Sequence, residues 1–232
     1  MNTKKLGLGI FREQFKWSLW YAFTILLIYI AVLLYQVYVE AIEFTDFSMF
    51  SNGSSSIFML IIGILSTYSF FDYFAKQGIT RRNFFKATIG ASVLLAIAIS
   101  ITIFLMNGLL HLLVQNAGWD ITWTNEVSPT GFFSFIEVFI SYTLIHALYY
   151  LIGWMIGLGY YRLGWVLGTL AFVPLALIFV NITGLLWGLS HINFFPHLSL
   201  QSFPLSIVLS IVFAGILLYI NHRLIKEITV VM

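Results

Sequence analysis

The sequence has no cysteine, only four prolines, and very little charge: 9% of its 232 residues are Asp, Glu, Lys or Arg, against about 25% in an ordinary soluble domain. Without cysteine, disulfides, thiolate nucleophiles and iron–sulfur ligation are excluded. Without charge, a soluble fold is excluded as well. At 60% apolar residues the chain carries more apolar surface than one core of this length hides from water. A net charge of +2 leaves no electrostatic footprint for nucleic acid. Also missing are G-x-x-x-x-G-K-[ST] and H-E-x-x-H, so neither a phosphate loop nor a zinc-protease helix is encoded. The apolar stretches hold no paired carboxylates and no Ser/His pair in a recognisable motif. No catalytic residue and no metal ligand is therefore assigned, and enzymatic activity is not expected.

What the sequence has instead is long apolar runs. A helix needs about 20 mostly apolar residues to cross the hydrocarbon, and backbone groups inside lipid must be satisfied within the segment. Six runs meet that requirement, at about 17–39, 57–74, 87–110, 132–157, 165–186 and 205–220. The first is 23 residues long, longer than the roughly 7–15 residues of a signal-peptide core, so it is expected to remain as a span. Residues 1–232 then form one all-α polytopic membrane domain of six transmembrane helices. Pro174, near the middle of the fifth, predicts a kink.

Cations fix the orientation. Lys4, Lys5, Arg12 and Lys16 precede the first span; Lys76, Arg81, Arg82 and Lys86 lie between the second and third. Arg162 lies between the fourth and fifth, and Arg223 and Lys226 follow the sixth. With six spans, all eleven Lys and Arg residues share one side, and the other carries Glu40, Glu43, Asp46, Asp120 and Glu126. Five or seven spans would scatter them. By the positive-inside rule the basic side is cytoplasmic, so both termini face the cytoplasm. Residues 1–16 carry Ile10, Phe11 and Phe15 beside Arg12, Glu13 and Lys16, a pattern suited either to a helix lying in the inner interface or to a basic flank that only fixes topology. The polar run Ser51–Ser56 predicts an outer loop, and Trp187–Pro204 an outer segment dipping into or lying on the membrane.

Four residues are candidates for a pathway or gate. Apart from Asp72 at the cytoplasmic end of the second run, Glu137 is the one acid within a span, and intramembrane acids are costly; Ser141 lies one turn deeper on the same face. His146 has Tyr142, Tyr149 and Tyr150 as helical neighbours, which predicts a neutral histidine bonded to a tyrosine. Pro174 completes the set. Pairs of glycines at Gly153/Gly157, Gly164/Gly168 and Gly184/Gly188 predict close helix contact between the fourth and fifth spans.

The loop between the second and third spans reads Gly78, Ile79, Thr80, Arg81, Arg82, Asn83, Phe84, Phe85. Gly78 suits a helix end and Thr80 an N-cap. A short cytoplasmic helix from Arg81 would show its arginines to water and turn Phe84 and Phe85 towards the membrane. Two readings of this loop stand: a charge anchor that fixes topology, or a docking element for a cytoplasmic partner. Residues 78–85 resemble the G-[IV]-[ST]-R-[KR]-x-[FY]-[FW] stretch of ABC-2 type permease subunits from Gram-positive bacteria, and the six-span layout is similar to that family too. The resemblance implies the permease of an ATP-driven exporter in the bacterial plasma membrane, moving an amphipathic peptide, lipid or drug. It implies a second permease subunit, identical or not, and cytoplasmic ATP-binding subunits that hold the ATP and magnesium, with no cofactor on this chain. Residues 78–85 would be the coupling helix. A non-transporting membrane protein that binds a toxin or partner in the bilayer is the alternative.

Overall fold

A computed structural model describes residues 2–39, 43–119, 121–124, 132–188 and 202–228. They are almost wholly helical. Among them, five helices are long and apolar enough to cross a membrane, and the fold is that of an all-α membrane protein.

Helix α1 (Thr3–Tyr38) starts where the Asn2 side chain accepts a hydrogen bond from the Lys4 amide at 3.3 Å. It runs 36 residues without interruption, about 54 Å at 1.5 Å per residue, well beyond the roughly 30 Å of hydrocarbon. The expected N-terminal interfacial helix is thus not a separate element. Leu6, Gly7, Ile10 and Gln14 are buried, so residues 3–16 are held by the bundle rather than laid on a surface.

Helix α2 (Phe47–Leu65), a π-helical stretch (Ser66–Phe71) and α3 (Asp72–Lys76) form one rod. It begins ten residues before the expected span. The Ser51–Ser56 run is not an outer loop but the first turns of α2. Serine hydroxyls there bond back to carbonyls one turn earlier: Ser51 to Ser48, Ser54 to Ser51, and Ser55 to Asn52. Such local bonds let serine sit in an apolar helix, and its small size lets neighbouring helices close in.

After a four-residue turn comes α4 (Arg81–Ala117), 37 residues long, which ends at Gly118 in the left-handed conformation (φ 68°). Two short strands, β1 (Glu43–Thr45) and β2 (Thr122–Thr124), pair in parallel with Phe44 opposite Trp123.

The next helical run, α5 (Phe132–Trp187), spans 56 residues but is not one rod. Gly164 has φ 76° and ψ 174°, a conformation essentially restricted to glycine. The chain folds back there. A Cβ on Gly168 would strike the Tyr160 ring, one on Gly159 the Phe172 ring, and Thr169 donates to the Tyr160 hydroxyl at 3.3 Å. In an unbroken helix residues 159 and 172 would lie about 20 Å apart. The two arms, 132–163 and 165–187, run antiparallel. Pro174 produces no comparable break: the departure from helical torsions is at Gly164, and the backbone through Pro174 stays helical.

Helix α6 (Phe203–Glu227) returns antiparallel to the second arm. The Trp187 indole donates to Ser210 Oγ at 3.1 Å and Phe179 packs edge-on against Phe213, while Asn221 Nδ2 donates to the Leu151 carbonyl of the first arm at 3.1 Å. Helices α1 and α4 lie parallel, with Thr3 reaching Asn83 and Gly7 against Ala87.

Glycine sets the tightest contact. Cβ atoms on Gly153 and Gly157 would fall on the carbonyls of Leu60 and Ile64, and one on Gly63 on the carbonyl of Tyr150. The Gly153/Gly157 pair therefore joins the first arm to α2, not to the next span as the spacing suggested.

The burial pattern is inverted relative to a soluble protein. Phe23, Leu105, Leu170 and Ile211 point outward, while Gln14, Ser55, Ser66, Ser100, His146 and Asn221 are buried inside. Lipid receives the first set; bonding between helices satisfies the second.

Candidate functional site

The end of the molecule that carries the cations brings together the start of α4 and the end of α6. Gly78, at φ 78°, closes α3, its amide bonded to the Ala75 carbonyl and that of Ile79 to the Phe74 carbonyl. Thr80 is extended, and its hydroxyl accepts from the Asn83 amide at 3.3 Å. Helix start and helix stop thus fall where the sequence puts them. The helix that follows does not: Arg81–Phe85 is the first turn of α4 itself, continuous with the membrane-crossing rod, so no separate coupling helix exists among the described residues. Phe84 and Phe85 also turn the other way from expectation. Phe84 is fully buried against Phe71, and Phe85 stacks on Trp154 and lies 4.8 Å from the His222 ring. They are the anchors that seat the turn in the bundle.

Anchored in this way, the turn leaves Arg81 and Arg82 at the surface. With His222, Ile225 and Lys226 they line a basin of about 440 Å³. Arg81 donates to the Lys226 carbonyl at 2.7 Å, satisfying one of the orphan acceptors at the end of α6 and tying α4 to α6. A second, smaller hollow of about 150 Å³ lies over Gln77–Thr80 and Asn83. The acids on this side do not neutralise the basin. Glu13 is paired with Lys16 at 2.8 Å, Asp72 with Lys76 at 2.8 Å, and Glu227 with Arg162 at 2.5 Å. A concave, cationic surface backed by rigid helices can receive an acidic protein surface or an anion.

The other candidate residues lie elsewhere and are not brought together. Glu137 is exposed near the start of the first α5 arm. Ser141 donates to the Glu137 backbone carbonyl at 2.8 Å, so its hydroxyl is committed to the backbone rather than to the carboxylate. His146 is fully buried and bonds two serines instead of a tyrosine: Ser55 Oγ lies 2.8 Å from Nε2 and Ser100 Oγ 3.1 Å from Nδ1. It pins α2, α4 and the first α5 arm at one level. Pro174 is exposed to the surroundings of the bundle. Most of the predicted outer segment, Trp187–Pro204, lies outside the described residues.

Two polar clusters were not foreseen. Gln14 Nε2 donates to the Tyr150 hydroxyl at 2.9 Å, which donates to Ser66 Oγ at 3.0 Å, all three buried. At the opposite end Asp46, fully buried, takes Ser48 Oγ on one oxygen and His111 Nε2 at 2.8 Å on the other, while the His111 ring stacks 4.5 Å from Trp123. Asp46 stands at the α2 N-cap but does not cap it, because its carboxylate is spent on these partners. In the sequence Asp46 is one of three acids ahead of the second run, with Glu40 and Glu43, and nothing marks its partners. Among the described residues no three His, Cys, Asp or Glu side chains gather as a metal site would require. No family model matches the chain, and no curated protein or solved structure matches it either.

Proposed function

We propose that this chain is a six-span permease subunit of an ATP-driven exporter in a bacterial plasma membrane, with both termini cytoplasmic. The fold-back at Gly164 supports the count of six, since each α5 arm is long enough to cross, with 32 and 23 residues on either side of the glycine. Then every helix alternates in direction, and all eleven cations share one face.

The observation that carries the reading is the cationic basin formed by Arg81, Arg82, His222 and Lys226, at the segment that resembles the ABC-2 coupling stretch. A soluble ATP-binding subunit would dock acidic residues there. Its closure would act on the first turn of α4 directly, and through the Arg81–Lys226 bond on α6. A second permease subunit would complete the pathway, for which the outward aromatic faces supply an apolar wall. An amphipathic peptide, lipid or drug fits such walls better than a small ion does.

The test is co-purification of the tagged chain with soluble ATPases from its own membranes. Arg82→Glu is the informative variant, because Arg81 also bonds Lys226 and its loss loosens α6. Loss of the ATPase from Arg82→Glu with an unchanged melting temperature is the expected outcome. Retention of the ATPase refutes the docking face. A chain that never brings an ATPase with it, and instead captures a toxin or a membrane partner, belongs to a non-transporting immunity or sensor class.

A further inference from the structure

On the other flank of α4, away from the basin, α1 and α4 enclose a groove of about 320 Å³. The two helices are parallel and touch at Gly7, where an added Cβ would meet the Ala87 carbonyl oxygen at 3.0 Å. Beside that contact the groove stays open, and a Cβ on Gly90 would meet nothing within 4 Å. Its composition changes along the axis in the same direction on both helices. On α1, Lys4 is followed one turn later by Leu8. On α4, Lys86 is followed at one-turn intervals by Gly90 and Leu94. Residues four apart share a helix face, so both lysines stand at the rim and both leucines, each about half exposed, wall the floor below. Among the described residues no acid lines the groove.

A cationic rim above an apolar trough is the complement of an anionic amphiphile. We infer that this groove seats one anionic phospholipid of the leaflet on the basic side, its phosphate between Lys4 and Lys86 and an acyl chain over Gly90 against Leu8 and Leu94. Basic pockets between membrane helices on the cytoplasmic side hold lipid headgroups in this manner. The site requires only that the chain be membrane-embedded, and it stands whether or not an ATPase docks on the opposite flank.

The full-length chain, purified in a neutral detergent, is titrated with phosphatidylglycerol and with phosphatidylcholine, and bound lipid is counted by native mass spectrometry. Each juxtamembrane lysine contributes about fivefold in affinity for an anionic lipid, so Lys4→Gln/Lys86→Gln is expected to lower phosphatidylglycerol binding about 30-fold. Phosphatidylcholine binding stays as it was. Gly90→Trp, which fills the trough without touching charge, is expected to weaken both lipids. Arg223→Gln removes an exposed cation from α6, which does not line the groove, and leaves phosphatidylglycerol binding unchanged. The inference fails if Arg223→Gln costs as much as either lysine change, since general surface charge then suffices. It fails equally if glycerol 3-phosphate competes as well as the intact lipid, since the trough then plays no part.

Discussion

Tyr150→Phe removes one buried oxygen and strands two partners. In the native chain that hydroxyl accepts from Gln14 Nε2 at 2.9 Å and donates to Ser66 Oγ at 3.0 Å, joining α1, the π-helical stretch and the first α5 arm. Interhelical hydrogen bonds in membranes average about 0.6 kcal/mol each, so the two bonds together account for about 1.2 kcal/mol. Ser66 can turn back to its own helix, but Gln14 cannot escape: it is fully buried and its Oε1 already has no partner. A stranded buried amide costs about 1–3 kcal/mol. The expected loss is therefore on the order of 2 kcal/mol, read as the free energy of unfolding in mixed detergent–SDS micelles. Gln14→Leu separates the two contributions, because a leucine of similar size asks for no partner. In the double variant the stranding term vanishes, and the combined loss should fall short of the sum of the singles by at least 1 kcal/mol. Losses that add to within about 0.3 kcal/mol, as they do for independent sites, would refute the network.

Three further outcomes follow from the packing. Gly153→Leu places a side chain on the Leu60 carbonyl, where only a backbone shift makes room; it should cost more than the 1–3 kcal/mol of ordinary overpacking and show as a fall in melting temperature. Gly164→Ala forces a Cβ into the region at φ 76°, ψ 174°, at about 1–3 kcal/mol, with no clash to blame since the space beside Gly164 is open. The absence of native cysteine permits single-cysteine labelling: cysteines replacing Gly78 and Trp165 should react only from the cytoplasmic side and those replacing Gly118 and Gly188 only from outside, and any exchange between these groups ends the six-span topology.

Hydropathy made the middle of every helix legible but misjudged their ends. The α2 start is the clearest case. Ser51, Asn52, Ser54, Ser55 and Ser56 lower hydropathy as a loop would, yet four of them are buried, because a serine that bonds its own helix and presents a small face is an interior residue in a membrane bundle. The α1 start misled in the opposite sense. Charges at Arg12, Glu13 and Lys16 suggested a surface helix, while Leu6, Ile10 and Gln14 on the other side bind it to the bundle. Breaks were legible where glycine or a cap fixes them locally, as at Gly78 and Thr80. The pairings were not. That His146 meets Ser55 and Ser100, or that Gly153 meets Leu60, depends on the register between helices far apart in sequence. Nor did the pattern of Phe84 and Phe85 reveal their direction: in a chain whose lipid face is as apolar as its core, an aromatic residue carries no label for either.

The continuity of α4 changes how motion would pass through the molecule. A separate coupling helix hinged to its span transmits a rotation only through its contacts. Here the turn from Arg81 to Phe85 is covalently and helically one with 37 residues that reach the far side, and those residues include Ser100 at the buried His146. A displacement at the basin is then carried by the helix backbone itself. Ile89→Pro tests this directly. Proline at that position removes the amide that bonds the Phe85 carbonyl and clashes with that carbonyl, breaking the rod between the docking turn and the bundle core, and membrane helices accommodate such breaks. Arg81, Arg82 and the Gly78–Thr80 turn lie a full two turns away and keep their geometry. Under the proposed function the variant should still recruit the ATPase while losing the stimulation of ATP hydrolysis that the intact permease confers. Undiminished stimulation in Ile89→Pro would mean that the stroke travels by another route, with the Arg81 bond to the end of α6 as the remaining mechanical link between basin and bundle.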